Sequence, residues 1–251
     1  MGKENRKSAV TPQKHSGISE ERKNILKPNS SFYLQEAYKS LRTNVNFSLA
    51  DTEGGKVILI TSASQGEGKS LTALNLAISF AQTDCSVLII DCDLRRPKLN
   101  RLMNISAPAG ISNVIMNPSF FDVALMHDEK YGIDVLSSGD IPPNPSELLA
   151  SGKTQKLMEQ LRRSYDYIIL DTPPIGVVTD AAVLAPCCDG VLFVVRENRT
   201  DRAAVMYAME QLEHAKAKVL GFVMNGMNAK NSSGAFKKYG YAQSDYYGYG
   251  Y

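Results

Sequence analysis

The chain has no apolar run approaching eighteen residues, the length at which a membrane-spanning helix becomes a candidate. Its first 31 residues, MGKENRKSAVTPQKHSGISEERKNILKPNSS, contain no apolar core of the kind a signal peptide requires. Both absences lead to the expectation of a cytoplasmic protein. Cysteine is scarce as well: Cys85, Cys92, Cys187 and Cys188 stand in or beside apolar segments, without the paired spacing of a zinc site or a disulfide framework. Reduced, mostly buried thiols are expected. Nor is there an excess of charge of one sign, since the net charge is only +2. Residues 1–30 hold seven Lys/Arg against three Asp/Glu, a net of +4 that leaves −2 for residues 31–251. The body therefore lacks the concentrated basic face of a nucleic-acid domain, and no nucleic-acid partner is expected. The basic arm either meets anionic lipid or an acidic partner, or is simply a solvated leader.

What is present is ordinary globular material, 251 residues with 43% hydrophobic content, enough for one substantial domain. Helical periodicity begins at Phe32 in FYLQEAYKSLRTNVNFSLA, where Ala37, Leu41 and Val45 recur beside Tyr38 and Leu49. After Gly54-Gly55 comes KVILITS, a short continuous apolar run of the kind buried on both faces of a sheet. SVLIID, GIDVLSS, YDYIILD, GVLFVVR and KVLGFVMN repeat that style, with helix-like stretches at 70–82, 145–163, 179–185 and 200–215 between them. Alternating strands and helices predict an α/β fold: a doubly wound, mainly parallel sheet with helices on both faces. The expected organisation is a flexible basic arm at 1–31, a nucleotide-binding domain at 32–230 and a flexible tyrosine-rich tail at 231–251.

In such folds the chemistry sits at the carboxyl ends of the strands. There the first strand runs into SASQGEGKS, a Gly-rich loop ending in Gly-Lys-Ser before a helix. Gly66 and Gly68 can aim successive backbone N–H groups at one point, and the helix start adds its positive end, which makes the loop a nest for phosphate. Gly66, Glu67, Gly68, Lys69, Ser70 and Leu71 form the candidate nucleotide loop, with Lys69 reaching the β and γ phosphates of ATP and Ser70 a ligand of Mg2+. The full pattern asks for glycine at position 63, where this chain has Ala63.

The second strand ends in LIIDCDLRRP and the fourth in IILDTPPIG, placing Asp91, Asp93 and Asp171 at adjacent strand tips. Residues two apart share a face while a strand stays extended, so both acids of the pair can point to one place. Three carboxylates beside a phosphate cradle suit a hard divalent cation.

Together, ASQGEGKS, LIIDCDLR and IILDTPP resemble the bacterial tyrosine kinases, the P-loop protein-tyrosine kinases tied to capsule and exopolysaccharide synthesis. The resemblance covers roughly residues 32–251. It implies a catalytic set of Asp91 as candidate base, Lys69 as phosphate lysine and Arg95, with Ser70, Asp93 and Asp171 on the magnesium. A base at Asp91 meets an energetic difficulty. A phenol pKa near 10 against a carboxylate near 4 makes complete prior deprotonation uphill by on the order of 8 kcal/mol. The proton is therefore expected to leave late, with alignment and charge neutralisation doing most of the work.

The same resemblance gives a role to the last residues, KKYGYAQSDYYGYGY. Six of the twelve tyrosines, Tyr239, Tyr241, Tyr246, Tyr247, Tyr249 and Tyr251, lie among the last thirteen positions. They are expected autophosphorylation sites, reached between subunits. Glu36, Lys39 and Arg42 match a family motif that pairs subunits into a ring, with Lys39 where the first arginine is expected; they also fit an ordinary solvated helix face. Asn225, in MNGMN, stands either where related ATPases read adenine or in a simple turn. The loop GDIPPNPSELLASGK resembles a family signature, with Asn144 or Ser146 near a helix start. Further expectations are a separate transmembrane adaptor that activates the kinase and recruits it to the inner face of the membrane, a cognate tyrosine phosphatase and a homo-oligomer. The rival readings are a partition-type ATPase, whose signature lysine would stand at Ser64, and a non-catalytic ATP-binding adaptor.

Overall fold

The computed structural model describes residues 16–227. Seven strands form one sheet: β1 (Lys56–Ser62), β2 (Val87–Asp91), β3 (Leu125–Asp128), β4 (Ile133–Leu136), β5 (Tyr167–Asp171), β6 (Gly190–Arg196) and β7 (Val219–Asn225). Their order is β3-β4-β2-β5-β1-β6-β7. Every neighbouring pair is parallel except β3–β4. The helices are α1 (Ser16–Lys23), α2 (Phe32–Ser48), α3 (Lys69–Ala81), α4 (Leu99–Met103) and α5 (Ile111–Met116). They continue as α6 (Phe121–Ala124), α7 (Pro145–Leu149), α8 (Gly152–Leu161), α9 (Asp180–Leu184) and α10 (Arg202–His214).

The continuous apolar runs make sense once their alternate residues are followed to opposite faces. Val57 and Leu59 of β1, Leu88 and Ile90 of β2, and Ile168 and Leu170 of β5 join one core with α5, α8, α9 and α10. Ile58, Ile60, Ile89 and Ile169 join the other, with α2, α3 and α4. A strand between two helical layers has no solvent face, so alternation of polar and apolar residues disappears from its sequence. The fold is the expected one, with strand ends displaced by at most a few residues.

Four differences have local causes. The stretch 145–163 is two helices, because the Ser151 hydroxyl accepts from the Thr154 N–H and starts α8 afresh. The antiparallel edge strand β3, LMHD, has no apolar pattern to betray it and pairs Leu125 with Leu136 and Asp128 with Ile133. On α2 the apolar stripe is Leu34, Tyr38, Leu41, Val45 and Leu49, and Ala37 faces solvent.

The fourth difference concerns the expected free arm, which does not hold for residues 16–31. Ile25 and Leu26 are 3% and 2% exposed in the α3 core. The buried Asn75 side chain of α3 donates to the Asn24 carbonyl (2.9 Å) and accepts from the Leu26 N–H (2.7 Å). Two apolar residues in a polar stretch are too weak a local pattern to predict docking, which depends on an asparagine about fifty positions later.

Candidate functional site

The turn from β1 into α3 has the conformation that its glycines allow. Gly66 and Gly68 sit at φ +77° and +97°. A methyl group on Gly68 would also lie 1.7 Å from the Asn225 side-chain nitrogen. α3 begins at Lys69, so its first amide N–H groups, which have no intrahelical partners, open toward the loop. The loop is clamped from behind. The fully buried Glu67 carboxylate accepts from the Ser64 N–H (3.0 Å) and from the Thr200 hydroxyl (2.6 Å), and its carbonyl accepts from Asn225 Nδ2 (2.9 Å). Arg196 donates to the Gly66 carbonyl at 2.9 Å. Ala63 is buried, and Gly176 packs so closely on its backbone that a Cβ there would lie 2.5 Å from the Ala63 carbonyl oxygen.

The protein itself holds three of the side chains expected at the nucleotide. The Glu67 side chain points into the protein, so only its backbone belongs to the loop surface. Leu71 packs against the α3 core. The Asn225 amide is committed to Glu67 and, through its oxygen, to the Gly226 N–H at 2.8 Å, which makes it a fastener of the loop in this structure.

The acids diverge. Asp91 and Asp171 are direct neighbours across β2 and β5. Because β2 ends at Asp91, Asp93 lies beyond the strand, and the expectation that the pair shares a strand face fails. Asp91 is fully buried and accepts from three backbone N–H groups: Asp93 (3.2 Å), Lys98 (3.0 Å) and Leu99 (3.0 Å). It braces the turn into α4, and a phenol reaches it only if that turn opens. Asp93 is half-buried, accepts from the Arg96 N–H at 3.0 Å and lines the cavity. Neither Asp171 oxygen has a well-aimed hydrogen-bond partner among the described residues.

Burial, then the facing Asp171 charge, pushes Asp91 up to about 8 despite its amide donors. Burial pushes Asp171 up to about 6, with the nearby Ser70 hydroxyl and Lys69 pulling the other way. Lys69, 8% exposed, is lowered by burial and held up by Asp171, Asp93 and Glu67.

Arg95 lines the cavity, but its guanidinium is taken. Nε and Nη2 donate to the two oxygens of the buried Asp180 at 2.9 and 3.0 Å, and Nη2 also reaches the Ser146 hydroxyl at 3.0 Å. The expected catalytic arginine is thus a tie between the Asp91–Arg95 turn, α7 and α9. Ser146, from the proline-rich loop, finds its purpose in the same tie, donating to Asp180 at 2.5 Å. Asp180 had no signal in the sequence beyond an acid at a helix start.

The cavity in front of the loop measures about 320 Å³, with Gly66, Gly68, Lys69 and Ser70 against Asp93, Arg96 and Lys98, and Pro173, Pro174, Val177 and Val178 as an apolar wall. No three His, Cys, Asp or Glu side chains among the described residues converge as a ready-made cage, which corrects the expectation of three carboxylates on one cation. The smaller set fits magnesium, which keeps several waters and takes one or two carboxylates together with phosphate oxygens. The orphaned Asp171 oxygens beside Ser70 are the observation that supports such an ion.

On α2, Glu36 and Lys39 pair with each other at 2.7 Å. Arg42 is bound within the chain to the Ser79 carbonyl, and to the Ser79 hydroxyl at 3.4 Å. The three residues do not present a common free charge. The tyrosine cluster from Tyr239 onward lies outside the described residues.

A family model described as the NUBPL iron-transfer P-loop NTPase, ParA, matches residues 54–244. Tyrosine-protein kinase YwqD of Bacillus subtilis (strain 168) is 40% identical over 206 residues, 82% of this chain and 85% of that protein. The putative tyrosine-protein kinase CapB of Staphylococcus aureus is 36% identical over 214 residues, 85% of this chain and 92% of that protein. The chain belongs to the bacterial tyrosine kinases. The solved kinase domain of Escherichia coli tyrosine kinase ETK superimposes on this kinase with TM-score 0.75 and 34% identity, covering 87% of this chain and 80% of that one. No described helix is long and apolar enough to cross a membrane.

The two raised carboxyls make the free kinase pH-sensitive. In the unfolded chain both ionise near pH 4, whereas in the fold they keep their protons higher, so the folded state binds more protons in between. Their contribution to stability is complete below about pH 4 and is lost as pH rises through about 6 for Asp171 and about 8 for Asp91. Thermal melts without nucleotide are expected to show Tm falling between about pH 5.5 and 8.5, and Mg2+ with ADP to flatten the fall. A Tm that rises over this interval contradicts the assignment.

Proposed function

We propose that this kinase transfers the γ phosphate of ATP to tyrosine hydroxyls of its own C-terminal cluster, between subunits, and that this modification regulates capsule or exopolysaccharide synthesis. The observation that carries the reading is a glycine cradle and a buried lysine on one cavity, with the buried Asp171 carboxylate next to the Ser70 and Lys69 that line it, in a chain so similar to proteins named tyrosine kinases. Lys69 and the amide N–H groups at the start of α3 hold the phosphates in line. Ser70 and Asp171, with Asp93, would hold magnesium, which supplies charge neutralisation at the phosphate oxygens. The apolar wall of Pro174 and Val177 gives a phenol ring a dry face.

Asp91 is the group we assign to the phenol proton. Burial raises its pKa toward that of a phenol, which makes the transfer less uphill once Asp91 is ionised. Access requires release of the Lys98 and Leu99 amides from its carboxylate, so opening of that turn belongs to the reaction. Arg95 acts at a distance, by holding the turn to Asp180. From Asn225 the chain to Tyr251 can extend on the order of 90 Å, enough for its own site or a neighbour's. The family resemblance favours the neighbour, with Glu36, Lys39 and Arg42 near the subunit contact. A transmembrane adaptor, a tyrosine phosphatase and a place at the inner face of the membrane complete the proposal.

The test is phosphotyrosine formation with ATP and magnesium, mapped by mass spectrometry over a range of protein concentrations. Phosphate is expected on the six tail tyrosines, with a rate per molecule that rises with concentration, and not on a chain ending at Phe236. Tight ATP binding without phosphotyrosine would sink the kinase reading and leave the ATPase switch or the adaptor.

A further inference from the structure

Lys98 follows the acidic motif and has no part in the expected site, yet its side chain lines the nucleotide cavity together with Gly68, Lys69, Ser70 and Asp93. Its charge is felt by Lys69 and by Asp171. In this structure the ammonium faces Glu21 of α1, 2.8 Å from Oε1 and 2.6 Å from Oε2. Beside it, Arg22 donates to the Arg101 carbonyl (3.1 Å from Nε) and to the Asn104 side chain (3.1 Å), fixing α1 against α4. The same segment is fastened to α3 through Asn75, which holds Asn24 and Leu26. Residues 16–26 are therefore strapped across the two helices whose amino ends make the site: α3, which starts at the phosphate loop, and α4, whose first amides hold Asp91.

Resting on the nucleotide reading above, we infer that Lys98 is a second phosphate-binding cation and that Glu21 of the docked segment competes with the nucleotide for it. Lys98 reaches the cavity from the Asp91–Lys98 turn, whereas Arg196 and Asn225 clamp the phosphate loop from the ends of β6 and β7. A nucleoside triphosphate brings several negative charges to a group now neutralised by one carboxylate, both partners being about one-third exposed. Binding at the cavity and docking of residues 16–26 thus draw on the same ammonium. Linkage makes the effect reciprocal: whatever loosens the Glu21 contact strengthens nucleotide binding by the factor with which nucleotide loosens the contact. The role is one of binding and positioning; no new bond is made or broken.

The experiment uses the full chain, Mg2+ and a non-hydrolysable ATP analogue, with Glu21→Gln, Lys98→Met and the double variant measured by calorimetry. Glu21→Gln keeps the shape of its side chain, and Lys98→Met keeps the backbone N–H that Asp91 uses, so the brace survives both changes. Glu21→Gln is expected to tighten the analogue by about two- to five-fold, the worth of a partly exposed ion pair. Lys98→Met is expected to weaken binding and to cancel the gain in the double variant. In the wild type, the analogue should speed hydrogen exchange at the Leu26 amide, and in Lys98→Met it should not. Binding that needs Lys69 but is indifferent to Glu21 and Lys98 overturns this inference alone. A wild type that does not bind the analogue overturns the nucleotide reading with it.

Discussion

Replacing Lys69 by methionine is expected to lower the rate of phosphotyrosine formation by about 10²–10³-fold, the cost of removing one preorganised charge from a phosphoryl-transfer site. Lys69 is the first residue of α3 and is almost buried, so its ammonium is held at the cavity and largely stripped of water. Burial alone disfavours the charge; Asp171, Asp93 and Glu67 keep it in place. Methionine preserves most of the apolar stem and removes only the charge and its donors. The expected signature is a loss of activity and of nucleotide affinity, with Tm changed by no more than a few degrees, measured by mass spectrometry, calorimetry and thermal melts on the same preparations. Retained phosphotyrosine formation would remove Lys69 from the reaction. A large drop in Tm would make its role one of packing.

The sheet was legible because a strand covered on both faces leaves an unbroken apolar run, as KVILITS and GVLFVVR do, and the run ends where the cover ends. The phosphate loop was legible for a different reason: its glycines, its lysine and the following helix start are all local. What escaped the sequence depends on partners far along the chain. Arg95 looked catalytic beside its acidic motif, yet its fork is closed on Asp180, 85 positions later. Lys98 and Glu21 lie 77 positions apart, and neither stands out in a chain with many surface charges. Asp91 and Asp93 were expected to share a strand face at a spacing of two; the strand ends at Asp91, which turns inward to three amides, while Asp93 lines the cavity.

These corrections share a theme. Most of these residues serve as fasteners of the loop or turn that holds the site. Glu67 and Asn225 tie the phosphate loop to the ends of β6 and β7, Arg95 ties the acidic turn to α7 and α9, and Asp91 closes that turn on α4. A loose lysine or aspartate would spend binding energy on being ordered before it could stabilise a transition state, so a rigid surround is part of how the site works. The exception is Asp171, which is buried beside Ser70 and Lys69 with no well-aimed hydrogen bond to either oxygen among the described residues.

That exception yields the second large effect. Asp171→Asn is expected to lower phosphotyrosine formation by about 10²–10³-fold while making the free protein more stable at pH 8. Burial makes the ionised carboxylate costly to the fold, a cost that Ser70 and Lys69 offset only in part and the Asp93 charge increases. The isosteric amide removes the charge at a gain of roughly 1–2 kcal/mol, from the usual penalty of an unsatisfied buried group. For a chain of this size that corresponds to a rise in Tm of about 2–8 °C. The sign depends on pH in a way packing does not. Below about pH 6 the wild-type carboxyl already carries its proton, and the two proteins should melt together. With Mg2+ and ADP the order should reverse at pH 8, since only the wild type can recover the cost through a bound cation. If Asp171→Asn instead lowers Tm at pH 8, or binds magnesium nucleotide as tightly as the wild type, the orphaned carboxylate is not the metal-side group, and the fit to magnesium fails with it.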